Sequence, residues 1–289
     1  MKPFAEYVGQ EGVKRQLNFL IDSFKQTKVM PFLNFVGARG LGKTVFAREV
    51  SKSLMTSEGI KRPFIEINSS TIKGVDQFFE QIFLPKIMDK EITILFDEAH
   101  CLPNLLSNTF LTIFNTEKSN QKDFTGEDGM VYPFDFTKQV FMFGTTNAEK
   151  MLEPLRDRLE SVIFDEYSTD DLQQILQSNL KKYTFDDKAI RFLAEMSRGN
   201  ARGCIKLSKN VDRFCLNKDI RHFTFKNSTE LSFVLNILPY GLTPIERRLL
   251  KILRPIGSTT LTTLAAKTML SPQAVRRDHE LYLLKKGFI

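Results

Sequence analysis

The stretch GARGLGKT at 37–44 fits the pattern G-x-x-x-x-G-K-[ST]. It lies between an apolar run and a helical pattern, the context that gives this motif its meaning. In such a loop, backbone N–H groups at Gly37, Ala38, Arg39, Gly40, Leu41 and Gly42, with the helix start at Lys43, Thr44 and Val45, would cradle phosphates. Lys43 would reach the β- and γ-phosphates of ATP, and the Thr44 hydroxyl would ligate Mg²⁺. Arg39 adds a second cation inside the loop.

ILFDEAH at 94–100 supplies the complementary chemistry. An apolar strand ending in Asp97-Glu98 offers one carboxylate to the metal shell and a second to orient or deprotonate a water. His100 reads only as a neighbour of this pair. Two polar strand ends lie elsewhere. GTTN places Thr145, Thr146 and Asn147 within reach of a γ-phosphate or an attacking water, unless it is an ordinary polar turn. INSS gives Asn68 two readings, a partner for Glu98 or a turn cap. EPLRDRL at 153–159 sets Arg156 and Arg158 around Asp157, a rigid pair of cations that by itself reads as a surface ion pair and whose sharper reading depends on the rest of the chain.

These residues need a scaffold. FLNFVG (32–37), PFIEIN (63–68), ITILFDE (92–98) and VFMFGTTN (140–147) read as strands, mostly apolar, with helical patterns between them. Strands without an inside–outside alternation, separated by helices, predict an α/β fold: a parallel sheet covered on both faces. At 118–138 the pattern changes, and aromatic–polar alternation around Gly126 and Gly129 predicts an inserted β-hairpin at 122–136 with an acidic tip. From about 168 the chain reads as helical throughout. Thr243, Pro244 and Glu246 form a helix-start signature, and three short helices follow, read as a helix-turn-helix or winged-helix module.

Composition narrows the class. The 289 residues are 42% hydrophobic and 26% charged, ordinary for a globular protein. No run of about 18 apolar residues predicts a membrane span, and the start lacks the apolar segment of a signal peptide. Three cysteines without a CxxC pair suit a reducing cytoplasm, and three histidines form no zinc pattern. Of the formal net charge of +7, residues 240–289 hold +6, with nine basic residues against three acidic ones. A basic terminal module on a near-neutral body predicts either contact with a polyanion, usually nucleic acid, or a solvated basic face.

Taken in order, the phosphate loop, the DE strand, the polar strand end, PLRDR and SRGNAR (197–202) resemble the AAA+ ATPases. EYVGQEGVKRQL (6–17), FDEAH and the terminal LTTLAA…YLLKKGF are similar, in the same order, to the RuvB family of Holliday junction branch-migration motors. The resemblance implies an AAA+ parallel-sheet ATPase core at 1–166, an all-α lid at 167–238 and a winged-helix-like, DNA-binding module at 239–289. It implies a homo-oligomer, a hexameric ring, in which Arg158 reaches the ATP of a neighbouring subunit. Asn147 matches one sensor position, with Thr146 as the alternative, and Arg202 the sensor on the lid. Tyr7, Val8 and Gly9 match the adenine pocket. Branched duplex DNA is the implied partner, contacted here by Arg276, Arg277, Lys285 and Lys286. The family carries an arginine-rich wing after its GF, and only Ile289 follows Phe288 here. The hairpin stands where a RuvA partner docks in the family. EINSS and GTTN are closer to clamp loaders, which keeps a second expectation alive: an ATP switch that loads a clamp or helicase.

Overall fold

The computed structural model describes residues 3–114, 121–125 and 131–289. The chain forms two compact units, Met1–Tyr167 and Ser168–Ile289.

The first unit begins with helix α1 (Glu11–Thr27), whose Val13, Leu17, Leu20, Ile21 and Phe24 are buried. Their spacing puts them on one helical stripe. Strand β1 (Leu33–Val36) leads into helix α2 (Lys43–Ser53), and β2 (Phe64–Asn68) follows. A short helix α3 (Val75–Phe78) passes into a π-helical stretch at Phe79–Ile87. Pro85 lies inside that stretch; it brings no N–H to the ladder, one reason the regular helix does not continue. Strand β3 (Thr93–Asp97), helix α4 (Asn104–Ile113), strand β6 (Val140–Thr145), helix α5 (Glu153–Arg156) and strand β7 (Glu160–Ile163) complete the core. Between α4 and β6 stands the antiparallel hairpin of β4 (Gln121–Thr125) and β5 (Val131–Asp135), with Gln121 opposite Asp135 and Thr125 opposite Val131. The acidic tip expected from sequence lies outside the described residues.

The sheet is parallel, in the order β2-β3-β6-β1-β7. All of β6 and four of five residues of β3 are buried. That double burial explains why these strands read as apolar runs without alternation. One flank of the sheet is packed with phenylalanine. Phe96, Phe110, Phe114, Phe141 and Phe143 are each 1% exposed or less. Phe110 on α4 and Phe114, the residue just past its end, lie 5.1 Å from each other and 5.2 and 5.1 Å from Phe96 and Phe141 respectively. Aromatic pairs at such spacing add roughly 0.5–1.5 kcal/mol beyond their area. The abundance of Phe is therefore core packing.

The second unit is helical: α6 (Thr169–Asn179), α7 (Asp187–Met196), α8 (Ala201–Lys218) and α9 (Phe225–Val234), joined by a two-residue pairing of β8 (Thr184–Phe185) with β9 (His222–Phe223). Then come α10 (Pro244–Ile256) and α11 (Leu261–Thr268). The last helix runs on through α12 (Pro272–Ala274), a π-helical stretch Val275–Glu280 and α13 (Leu281–Lys285), and the residues at both junctions keep right-handed helical angles. Leu242, Leu249, Ala265, Val275 and Leu283 form a buried cluster of their own. Among the described residues, 239–289 contain no strand, so this module is a helical trio. No helix among the described residues is long and apolar enough to cross a membrane.

Candidate nucleotide site

The phosphate loop is held at both ends. Its first residue, Gly37, donates its N–H to the Thr145 carbonyl at 3.2 Å, continuing the β1–β6 pairing beyond the strand. A Cβ there would sit 2.8 Å from the Phe164 carbonyl oxygen, so no larger residue fits without moving backbone. Gly42, at φ +103°, precedes α2 in the left-handed region, a conformation that glycine adopts at little cost. The Leu41 side chain is 2% exposed, and its carbonyl accepts the Tyr167 hydroxyl at 3.1 Å. Lys43 is buried, and its Nζ donates to the carbonyls of Gly37 and Ala38 at 2.7 and 2.9 Å. The ammonium thereby braces the loop that its side chain spans. Thr44 is half-buried on the first turn of α2, and Val45 is exposed.

Strand β3 delivers Asp97 and Glu98 to the same edge of the sheet. Asp97 pairs in register with Gly144 of β6. A Cβ at Gly144 would stand 3.1 Å from Asp97 Oδ1, so the glycine leaves the space that the carboxylate fills. Asp97 Oδ1 also accepts the Glu98 N–H at 3.0 Å. Glu98 itself adopts φ +51°, which turns the chain sharply out of the strand. Its Oε1 lies 3.3 Å from Nη2 of Arg39, across the phosphate loop. Its Oε2 is buried with no hydrogen-bond partner among the described residues.

His100 is more than a neighbour. Its Nδ1 lies 3.0 Å from Thr145 Oγ1 and 3.6 Å from Glu98 Oε2. Thr145 Oγ1 also accepts the Asn147 N–H at 3.0 Å. One polar chain therefore links the acidic strand end to the GTTN strand end, and Thr145 is fully buried within it. Thr146 and Asn147 stand half-exposed beyond it. The two readings of Asn68 resolve as the turn cap: its Oδ1 accepts Ser70 N–H at 3.1 Å and Ser70 Oγ at 2.8 Å.

The EYVGQ segment is stitched to the far side of β1. Gln10 donates Nε2 to the Asp165 carbonyl at 2.5 Å and accepts the Asp165 N–H on Oε1 at 3.3 Å. Sequence reasoning missed this clamp, whose trace was the glutamine closing the motif. The Tyr7 hydroxyl donates to Glu49 Oε2 of α2 at 3.2 Å, and its ring lies 5.5 Å from that of Phe46. Burial and then the nearby Glu49 carboxylate raise the Tyr7 pKa. Tyr7 lines a cleft of about 440 Å³ with Glu6, Lys25, Glu49 and Lys52, and no phosphate-loop residue lines it. Val8 is half-buried beside it in sequence.

Arg158 is placed elsewhere. Leu155 and Leu159 are buried in the aromatic flank, each burial contributing about 1.5–3 kcal/mol, and they fix the turn that carries the arginines. Arg156 approaches Glu153 at 3.9 Å. Arg158 is exposed, and its guanidinium donates to the Leu111 carbonyl in the last turn of α4, where the helix end is partially negative. Glu160 of β7 is in register with Leu33, and Ile163 with Val36. Arg158 therefore precedes the sheet's amino edge, whereas the phosphate loop leaves its carboxyl edge. At about 3.3 Å per residue the separation is on the order of 15 Å.

The donor set suits a phosphate-bound divalent cation. Thr44 and Asp97 offer hard oxygens, and the room at Gly144 keeps the carboxylate in place. Among the described residues no cluster of three or more His, Cys, Asp or Glu could hold a metal alone. A cation here would be completed by phosphate oxygens and water, as suits Mg²⁺.

In the second unit Arg202 is exposed on the first turn of α8, which Asn200 caps by accepting the Gly203 N–H at 3.0 Å. Arg276, Arg277, Lys285 and Lys286 are exposed along the final helical segment. Arg277 Nε donates to Asp278 Oδ1 at 3.0 Å, and Lys286 Nζ lies 5.9 Å from the centre of the Tyr282 ring.

Comparison with known proteins agrees with this geometry. Residues 33–167 match the family described as "ATPase family associated with various cellular activities (AAA)". The Holliday junction branch migration complex subunit RuvB of Thermotoga petrophila is 26% identical over 304 residues, covering 100% of this chain and 86% of that protein. Its Campylobacter jejuni counterpart is 27% identical over 298 residues, covering 99% and 84%. The solved Thermotoga maritima RuvB branch migration motor superposes with a TM-score of 0.77 at 23% identity, over 99% of this chain and 91% of that one. Residues 33–167 thus carry a domain that matches the AAA ATPase family.

Proposed function

We propose that this ATPase is a ring-forming, Mg²⁺-ATP-dependent motor on branched duplex DNA, of the RuvB type. The observation that carries the proposal is the placement of two half-sites on opposite edges of one sheet. Gly37–Thr44, Asp97 and Glu98 gather at the carboxyl edge, while Arg158 stands exposed at the amino edge. Arg158 is too far from its own phosphate loop to touch ATP there, which supports a role on the site of an adjoining copy.

In this reading the loop N–H groups and Lys43 grip the β- and γ-phosphates. Lys43 exchanges the carbonyls of Gly37 and Ala38 for phosphate oxygens. Thr44 and Asp97 would hold Mg²⁺, which when bound would offset phosphate charge. Glu98 orients and deprotonates the attacking water. Asn147 sits at the end of the Thr145–His100 chain, placed to hold that water or the γ-phosphate. The neighbour's Arg158 stabilises charge developing on the transferred phosphoryl group, an effect worth about 10³–10⁵ in rate in well-studied cases. Tyr7 and Val8 receive the adenine, and Arg202 on the lid reports the nucleotide state. Residues 167–238 act as that lid and 239–289 as the DNA module, with Arg276, Arg277, Lys285 and Lys286 on the phosphate backbone. The β4–β5 hairpin is the docking element for a RuvA-like partner.

The test is ATP turnover at fixed salt with no DNA, with linear duplex and with a four-way junction. Stimulation by DNA, greatest on the junction, is expected. Turnover indifferent to every DNA would sink the motor reading and leave the loader-type switch, whose stimulus is a protein.

A further inference from the structure

The segment SRGNAR contains two arginines, and only Arg202 has been given a role. Arg198 does something different. It adopts φ +55° in the turn between α7 and α8, and its side chain points into the C-terminal module. Its Nη2 lies 2.7 Å from Oε1 of Glu246, a carboxylate with 0% exposure. Its guanidinium carbon lies 3.4 Å from the centre of the Tyr282 ring. Glu246 is held from two further directions: Oε2 accepts the Thr243 N–H at 2.7 Å, and Oε1 is 3.4 Å from His279 Nδ1. The Tyr282 hydroxyl donates to the Tyr240 carbonyl. Gly241, next in the chain, has φ +72°, and a Cβ there would meet Arg198 Cγ at 2.8 Å and the Met196 carbonyl at 2.9 Å. One arginine thus fastens three segments to the lid: the turn at Pro239–Gly241, the start of α10 and the last helical segment.

The form of the fastening matters. The module's buried cluster draws on residues 242–283 and would close without Arg198. Apolar contacts permit slip, whereas a planar guanidinium paired to a buried carboxylate and stacked on a ring fixes direction as well as distance. At one end of the joint, Arg202 lies four residues from Arg198, across the turn that Asn200 caps. At the other end, His279 and Tyr282 are flanked by Arg276, Arg277, Lys285 and Lys286.

We propose that Arg198 is a positioning residue that makes lid and terminal module one body, so that a nucleotide-driven displacement at Arg202 arrives undiminished at the basic helix. The proposal rests on the preceding functional reading for the roles of Arg202 and the basic residues; the joint itself rests on the contacts above.

The test uses the full chain with spin labels at Lys209→Cys on α8 and Lys267→Cys on α11, in a Cys101→Ser background, and pulsed measurement of their separation. The unsubstituted joint should give one narrow distance distribution with ADP and with a slowly hydrolysed ATP analogue. The double variant Arg198→Met/Glu246→Gln, which leaves no buried charge unpaired, should broaden it about twofold or more. Arg198→Lys, retaining charge without fork or stack, should fall between. In parallel, duplex DNA affinity is measured with each nucleotide. The ratio of the two affinities should collapse toward one in the double variant, while affinity without nucleotide changes less than about threefold. A purely structural role would lower stability without erasing that ratio. Broad distances in the intact joint, or distances unmoved by the double substitution, would overturn the joint whatever DNA does. Narrow distances with DNA affinity indifferent to nucleotide before any joint substitution would instead overturn the coupling role and the DNA reading together.

Discussion

Arg39 Nη2 stands 3.3 Å from Glu98 Oε1, so a cation of the phosphate loop is paired with the carboxylate assigned to the attacking water. The Arg39 side chain is 76% exposed, and pairs so open to solvent contribute about 0–1 kcal/mol to stability. Arg39→Ala should leave the unfolding midpoint nearly unchanged. It should raise KM for ATP about tenfold, one loop cation having been lost, with little change in kcat. Glu98→Gln should behave oppositely, with ATP bound and kcat lowered at least about a hundredfold. Steady-state kinetics on the two variants separates these outcomes, and a large kcat loss in Arg39→Ala would contradict this division of labour.

Lys43→Ala has two expected costs. Nucleotide binding should be lost, read by titration with a fluorescent ATP analogue. The carbonyls of Gly37 and Ala38 also lose their donor, so urea denaturation without nucleotide should show a loss of about 1–3 kcal/mol. An unchanged denaturation curve would mean that the ammonium does not brace the loop.

Arg158→Ala should bind ATP normally and turn it over about a thousandfold more slowly. Mixing decides where the arginine acts. Arg158→Ala subunits keep an intact Glu98, and Glu98→Gln subunits keep an intact Arg158. If the arginine crosses a boundary, mixing two inactive proteins should restore a measurable fraction of activity. A mixture as inactive as its components would place the arginine's role within one chain.

Gly144→Ala puts a methyl group 3.1 Å from Asp97 Oδ1, near the end of the fully buried strand β6. The carboxylate must give by a few tenths of an ångström. We expect a folded protein whose Mg²⁺ requirement for turnover rises about tenfold, a shift of about 1.4 kcal/mol. A magnesium titration of turnover identical to the unsubstituted one would remove Asp97 from the metal shell.

Cysteine reactivity should divide by burial. Cys101 is exposed, whereas burial pushes the Cys204 and Cys215 thiols up to about 11. At pH 8 only about a thousandth of either buried thiol would be thiolate. Iodoacetamide should therefore modify one site on the folded protein and three after denaturation, counted by mass. Because the folded values lie above the unfolded ones, this burial stabilises fully at lower pH. Its contribution declines as pH rises from about 9 through 11. Prompt labelling of three sites on the folded protein would show that the α8 packing opens readily.

Four sheet strands and the phosphate loop were legible because their signals are local, whereas the fifth strand, β7, buries only Val162 and lacks an apolar run. An apolar run ending in glycine or acid needs no distant partner to be read. The helical content from Ser168 onward was legible for the same reason, through periodicity and the cap at Thr243. What escaped was long-range. Nothing local to ILFDEAH tells that His100 meets Thr145, 45 residues later, or that Asn68 caps the turn at Ser70 instead of reaching Glu98. Glu246 looked complete as a capping residue, and its second bond, to Arg198, depends on how the turn after α7 folds back. The π-helical winding inside the last helix escaped too, because apolar spacing in RRDHELYLL fits a regular and a π-helical winding almost equally.

The placement of Arg158 and the phosphate loop on opposite edges of one sheet also bears on assembly. A contact that brings one edge to the other joins two different surfaces, so it is head-to-tail and can repeat indefinitely. An open row of such subunits always leaves one terminal catalytic pocket without its arginine and one terminal arginine without a pocket. Only closure leaves no idle half. Turnover per subunit would then rise with protein concentration and level off once circles predominate, and a single defective arginine would silence its neighbour's pocket rather than its own.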